Sequence, residues 1–303
     1  MIGSRMSTVS KPPAPTARVA VVTVSYGSEN VLGPFLASLP SASRQPLRVV
    51  VADNKPMATS NDVRSMTASA GATYLAMPSN QGYGNAINTA VHTLGPEIEW
   101  VVVSNPDVTV NPGAIDSLLE CAVDKTIAAV GPCILSSDGE VYPSARTIPS
   151  LRSGIGHAIF TNLWPRNPWT RTYRKESEIA LERRDAGWLS GAFLMIRRSV
   201  FDQLKGFDES YFMYFEDVDL GYRIGQLGLR NVYEPAAVVV HTGAHSTSTR
   251  DESAGMIRAH HDSAQKFLFK KYSGPWLLPL RVMLAAGLSM RARIEARRPA
   301  NHT

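Results

Sequence analysis

The chain has 303 residues, 44% of them hydrophobic and 19% charged, with a formal net charge of +5. That suits one large α/β unit or two small ones and excludes a fibrous or low-complexity protein. Two cysteines, Cys121 and Cys133, exclude a disulfide framework or a zinc cluster and favour a reducing, cytoplasmic compartment.

The charge is unevenly placed. Residues 255–303 hold nine Lys/Arg and two acids, whereas the remainder holds 22 basic and 24 acidic residues. The basicity therefore belongs to the tail. No base-stacking aromatics interleave with it, which argues against nucleic acid and for a membrane surface. Met1–Ala17 is rich in Ser, Pro and Thr, lacks the apolar core of a signal peptide, and reads as a disordered leader. No apolar run reaches the length of a membrane span.

Arg18–Ser25 is a near-continuous run of β-branched residues, the pattern of a buried parallel strand. Apolar residues at helical spacing over Asn30–Leu39 predict a helix. Arg48–Asp53 is a second buried strand, Asn61–Ala70 a weak helix and Thr73–Ala76 a short strand. Tyr83–Leu94 reads as helix, Glu99–Ser104 as strand and Pro112–Cys121 as helix. This alternation predicts a doubly wound α/β sheet.

The second half is less regular. Gly139–Arg146 reads as strand and turn, and Leu151–Thr172 is mixed, with Trp164 and Trp169. Gly187–Ile196 reads as a strand with a glycine-flanked bend. Leu229–Tyr233 and Ala236–His241 read as two short strands, Glu252–Tyr272 as a long helix and Trp276–Arg297 as a last one. No internal repeat is visible. The expected division is a leader over 1–17, a catalytic unit over 18–248 and a helical, basic region over 249–303.

Ligands of doubly wound sheets bind beyond the carboxyl ends of the strands. That points to Thr23, Ser25 and Tyr26, to Asp53 and Asn54, to Asn80–Asn85, and to Asn105–Asp107. Asp53 could accept the imide N–H of a uracil or thymine ring, or simply cap the next helix. Asn80-Gln-Gly-Tyr-Gly84 places Gly82, Tyr83 and Gly84 at a helix start, where N–H groups suit anions, although the full dinucleotide fingerprint is missing. Asp107 is a hard ligand for a divalent ion bridging phosphates, or an Asp in a proline turn. His241 ends a strand and could join Asp107 on a metal. His245 is a weaker candidate, and His260-His261 reads as surface or substrate edge.

Tyr211-Phe-Met-Tyr-Phe-Glu-Asp-Val-Asp-Leu220 places Glu216, Asp217 and Asp219 in the first turn of a helix continued by Ile224 and Leu227. Acids there complement the helix dipole. Alternatively, one is a general base at the mouth of an aromatic pocket, its proton affinity raised by desolvation.

In this order Asp53-Asn54, Asn80-x-Gly-Tyr-Gly, Asn105-Pro-Asp107, Trp188-Leu-Ser-Gly191, Glu216-Asp217 and His241 resemble the inverting family 2 glycosyltransferases of GT-A fold. Tyr142-Pro-Ser-Ala-Arg146, Trp164–Trp169, Tyr211–Tyr214 and Ala244–Thr247 are similar to one subgroup. Its members move L-rhamnose from dTDP-rhamnose onto N-acetylglucosaminyl-diphosphoryl-decaprenol during cell-wall linker synthesis.

The resemblance implies roles. Asp53 contacts the nucleotide base, while Asp107 and His241 bind Mg²⁺ or Mn²⁺. Asn105 replaces the first acid of the family's D-x-D motif and leaves one carboxylate there. Asp217, beside Glu216, matches the catalytic base. Trp188, Ser190 and Gly191 line the acceptor site, and Arg146 belongs to the substrate-binding set. Implied partners are a dTDP-sugar donor, a polyprenyl-diphosphate-linked GlcNAc acceptor and the inner face of the plasma membrane as a peripheral surface. Other donors, UDP-galactofuranose or UDP-GlcNAc, offer the same imide edge. A non-catalytic glycan-binding module is disfavoured by the joint presence of Glu216, Asp217, Asp107 and His241.

Overall fold

The structure is a computed structural model and describes residues 17–55, 61–150, 182–243, 250–279 and 282. The expected leader, the Trp164–Trp169 segment, His245 with Ala244–Thr247, and most of the Trp276–Arg297 helix lie outside the described residues.

Twelve strands are described: β1 Val19–Ser25, β2 Leu47–Asp53, β3 Thr73–Ala76, β4 Trp100–Ser104, β5 Val108–Val110, β6 Ile127–Leu135, β7 Val141–Tyr142, β8 Ala145–Arg146, β9 Arg184–Ala186, β10 Trp188–Leu189, β11 Phe193–Arg197 and β12 Arg230–His241. Seven helices accompany them: α1 Glu29–Ala42, α2 Asn61–Ser69, α3 Tyr83–His92, α4 Ala114–Cys121, α5 Arg198–Gln203, α6 Glu216–Gln226 and α7 Arg250–Lys271. The ten-stranded sheet runs β3-β2-β1-β4-β11-β6-β12-β5, and a separate two-stranded ribbon pairs β10 with β8.

β1 to β4 are parallel, as their unbroken apolar runs predict. Residues alternate between faces along each strand. Val19, Val21 and Val51 therefore join Phe35 of α1 and Leu118 of α4 on one face. Ala20, Val22 and Val50 join Ile87 of α3 and Leu220 and Ile224 of α6 on the other. Helices on both faces bear out the doubly wound reading.

The rest of the chain departs from expectation in four places. The Gly187–Ile196 segment divides: β10 leaves for the ribbon with β8, and β11 enters the main sheet antiparallel to β4 and β6. The two short strands before His241 are one strand, β12, with a register shift between Glu234 and Val238 where Pro235 has no N–H to give the ladder. β6 is a central strand that its internal Gly131-Pro132 disguised. Leu227, expected on the buried face of α6, is exposed at the helix end.

α7 is not a free appendage. Phe267 is fully buried against Phe215 and Tyr222, with ring centroids 5.9 and 5.7 Å apart.

Candidate active site

The strand ends of β1 and β2 bring some of the expected residues to the surface and bury others. Thr23 and Ser25 are closed to solvent, and their hydroxyls find no hydrogen-bond partner. Tyr26, one residue on, is exposed. Asp53 is only 1% exposed; its carboxylate accepts the Tyr74 hydroxyl at 2.9 Å and the Lys55 N–H at 3.1 Å. Sequence reasoning missed Tyr74, whose only signal is its place on the strand beside β2.

Asn54 joins this end of the sheet to the Asn80–Gly84 loop. Its side-chain amide donates to Asn80 Oδ1 and to the Gly82 carbonyl, both at 3.3 Å. Gly82 has φ of +100°, and a Cβ there would fall 2.3 Å from the Phe212 carbonyl oxygen, so only glycine fits. Gly84 packs closely on Phe207. The Tyr83 N–H donates to the Phe212 carbonyl at 3.2 Å, so this amide at the start of α3 is already engaged rather than open to an anion. The Tyr83 hydroxyl donates to the Gly191 carbonyl at 2.9 Å. Tyr83 thus struts the segment that carries the acids.

That segment is strained before it becomes helical. Tyr214 and Phe215 both adopt left-handed backbone angles, φ +68° and +66°, which bulky residues rarely hold without support. α7 supplies the support, and sequence reasoning missed it. Ser263 Oγ donates to the Met213 carbonyl at 2.9 Å, and the His260 ring lies 5.4 Å from the rings of both Tyr214 and Phe215. The aromatic run expected to form a pocket mouth therefore serves largely as an anchor: Tyr211 is fully buried and Phe212 is its exposed member.

The three acids of α6 differ in environment. Asp219 is fully buried between Arg223 and Lys270, each 2.6 Å away, and is a structural ion pair. Glu216 is buried, with Oε2 lacking a hydrogen-bond partner; burial, and next the charge of Asp217, push its pKa up to about 8. Asp217 is partly exposed. Burial raises its pKa also, but N–H groups of Gly191 at 2.9 Å and Val218 at 2.8 Å, and the charge of Arg146, pull it back. Burial thus raises the proton affinity of both carboxyls, while the Gly191 and Val218 N–H groups and the charge of Arg146 oppose that rise at Asp217.

Asp107 and His241 do meet. β5 lies against β12 with Val108 opposite His241, and His241 Nε2 sits 3.1 Å from Asp107 Oδ1 and 3.3 Å from Asn105 Nδ2. No group of three or more His, Cys, Asp or Glu side chains placed to hold a metal ion occurs among the described residues. One carboxylate and one imidazole fit a divalent ion only as part of its shell, with the remaining positions left to phosphate oxygens and water. The pair belongs to the same neighbourhood as the acids: burial first, and then the charges of Glu216, Asp217 and Asp107, raise the Tyr83 phenol well above its usual pKa.

The β8–β10 ribbon closes the far side. Arg146 pairs with Trp188 in register, and its guanidinium lies 5.8 Å from the ring centres of both Trp188 and Tyr142. Ser190 is buried, its N–H bonded to the Ser144 carbonyl at 2.8 Å. At Gly191 a Cβ would come 3.5 Å from that of Asp217, ordinary van der Waals contact, so the backbone here lies directly against the acid.

A sequence profile described as "Glycosyltransferase like family 2" matches residues 15–260. The chain belongs to the family 2 glycosyltransferases. A relative from Mycobacterium tuberculosis (strain H37Rv), N-acetylglucosaminyl-diphospho-decaprenol L-rhamnosyltransferase, is 44% identical over 295 residues, covering 91% of this chain and 92% of its own. Rhamnosyltransferase WbbL from Escherichia coli (strain K12) is 25% identical over 84% of this chain and 93% of its own. Among solved structures, a mannosyltransferase from Pyrobaculum calidifontis, in complex with GDP-Man and Mn²⁺, superposes with a TM-score of 0.56 at 18% identity. It covers 92% of this chain and 76% of that one. That likeness bears on the fold, which is GT-A. As a family 2 glycosyltransferase the chain is an enzyme, and the non-catalytic reading falls away.

Proposed function

We propose that this glycosyltransferase moves L-rhamnose from dTDP-rhamnose to a hydroxyl of the GlcNAc in a GlcNAc-diphospho-polyprenol, with inversion. The substrate pair rests on the 44% identity to the mycobacterial relative. The mechanism rests on one observation: Asp217, partly exposed, is fixed by the Gly191 N–H in the neighbourhood of Asp107 and His241.

Asp217 takes the proton of the attacking hydroxyl, which displaces the nucleoside diphosphate from the opposite face of the anomeric carbon in one step. Glu216, protonated beside it, adds no competing charge. Gly191 holds the carboxylate in place and Tyr83 holds Gly191. Asp53 with Tyr74 and Asn54 form the end of the sheet assigned to the nucleotide. Asp107 and His241 would hold Mg²⁺ or Mn²⁺, which when bound would neutralise charge on the leaving diphosphate.

A lipid-linked acceptor places the enzyme at a membrane. Among the described residues no helix is long and apolar enough to cross one. Trp276, Leu278 and Val282, just beyond α7, are exposed. With the basic residues that flank them, they suit a segment lying in the cytoplasmic interface. Transfer from dTDP-rhamnose, UDP-GlcNAc and UDP-galactofuranose to a GlcNAc-diphospho-lipid tests the proposal. Faster transfer from either UDP-sugar refutes the donor assignment.

A further inference from the structure

The proposed reaction joins two anionic substrates at a site dense in carboxylates. Asp217 and Asp107 both act on the Tyr83 phenol. The donor diphosphate falls to the Asp107–His241 end, and a second diphosphate, on the acceptor, needs a cation elsewhere. Arg146 is that cation by position.

Three observations single it out. First, its guanidinium is placed, not loose: Nε donates to the Pro143 carbonyl at 2.9 Å, and the ring centres of Tyr142 and Trp188 are each 5.8 Å away. That bond uses one of the five N–H groups, and the terminal nitrogens have no hydrogen-bond acceptor among the described residues. A guanidinium with its fork open is matched to a phosphate. Second, the ribbon that carries Arg146 also holds the base. Trp188 pairs with Arg146, and three residues on, the Gly191 N–H binds Asp217. The separation of cation and base is therefore set by one short piece of backbone. Third, Arg146 is close enough to Asp217 for its charge to act on that carboxylate.

On an N-acetylglucosaminyl diphosphate, the attacking hydroxyl and the diphosphate leave from different edges of the same sugar ring. With the hydroxyl at Asp217, the diphosphate lies one ring away. We infer that Arg146, flanked by Tyr142 and Trp188, is the anchor for the diphosphate of the lipid-linked acceptor. The inference rests on the proposed acceptor class and adds the residue that reads it. It also couples binding to chemistry. Phosphate on Arg146 neutralises the charge that holds Asp217 down, so the base gains proton affinity as the acceptor docks. Among the described residues Glu216 and Tyr83 also face Asp217, and neither is positively charged.

The test uses the full chain and three proteins: wild type, Arg146→Lys and Arg146→Met. Acceptors are a short-chain GlcNAc-diphospho-polyprenol and a neutral alkyl N-acetylglucosaminide, and dTDP binding is measured separately. Losing a charged fork should raise KM for the diphosphate acceptor roughly 10- to 100-fold in Arg146→Met, and less in Arg146→Lys. KM for the neutral glycoside and the affinity for dTDP should stay unchanged. The acid limb of kcat/KM should move to higher pH in Arg146→Met, which loses the charge, and stay in place in Arg146→Lys, which keeps it. A merely structural arginine would not separate the two acceptors or the two substitutions. Equal loss with the neutral glycoside overturns the inference, and weakened dTDP binding assigns Arg146 to the donor instead. If Arg146→Met fails to fold, the two acceptors compared on Arg146→Lys decide. Failure of the broader reading is distinct, because it appears as no Asp217-dependent transfer from any sugar nucleotide by the wild type.

Discussion

The two ends of the site are built in opposite ways. At the end proposed for the donor, β1, β2 and β4 run in parallel and deliver Tyr26, Asp53, Asn54 and Asn105 from strands whose neighbours are fixed by hydrogen-bonded register. At the end proposed for the base, Asp217 rides on a helix entered through two left-handed aromatic residues, held by contacts from α3, the β8–β10 ribbon and α7. The donor end uses sheet geometry that many sequences can form. The base end stores strain and depends on distant parts of the chain to hold it. Substitutions should therefore separate donor binding from turnover.

The largest effect is expected at the base. Asp217→Asn should lower kcat by at least about 10²-fold while dTDP binding stays near normal, because a general base contributes at that scale and makes no donor contact. Isothermal titration beside steady-state rates reads both quantities, and retention of most turnover would remove Asp217 from its role. At the opposite end, Asp107→Ala should weaken donor binding more than acceptor binding. EDTA should abolish transfer and Mg²⁺ or Mn²⁺ restore it; full activity in metal-free buffer would break the comparison at that end.

Glu216 gives a smaller effect, in stability. Its pKa is raised on folding from 4.5 to about 8, so the folded state favours the protonated form. The associated stability is fully present below about pH 4.5 and is lost as the pH rises through about 8. Glu216→Gln cannot ionise, so its Tm should gain on the wild type between pH 5 and pH 8.5. A Tm difference flat across that range would show that Glu216 is ionised throughout. The smallest effect on chemistry belongs to the tail. Ending the chain after Tyr272 should reduce salt-sensitive binding to anionic liposomes and spare transfer to a short-chain soluble acceptor. Undiminished liposome binding, or loss of folding, would assign residues 273–303 to packing instead.

The sequence by itself determined the doubly wound core, because β-branched runs alternating with amphipathic helices leave little else to form. It determined the candidate acids too, since Glu216 and Asp217 open a helix whatever packs around them. Local pattern carries such features because each depends on residues within a few positions. Tertiary structure decided the rest. Nothing in Phe193–Arg197 tells that this strand runs antiparallel between β4 and β6, and Gly131-Pro132 looks like a break inside what is a central strand. The distinction between Glu216, Asp217 and Asp219 was likewise invisible. Three carboxylates within four residues acquire three environments: Glu216 is buried with its proton affinity raised, Asp217 is held by Gly191 under the charge of Arg146, and Asp219 is a buried ion pair with Arg223 and Lys270. The environment of a charge is set by what the fold brings to it from far along the chain, and here that included α7, whose one sign in the sequence was the His260-His261 pair.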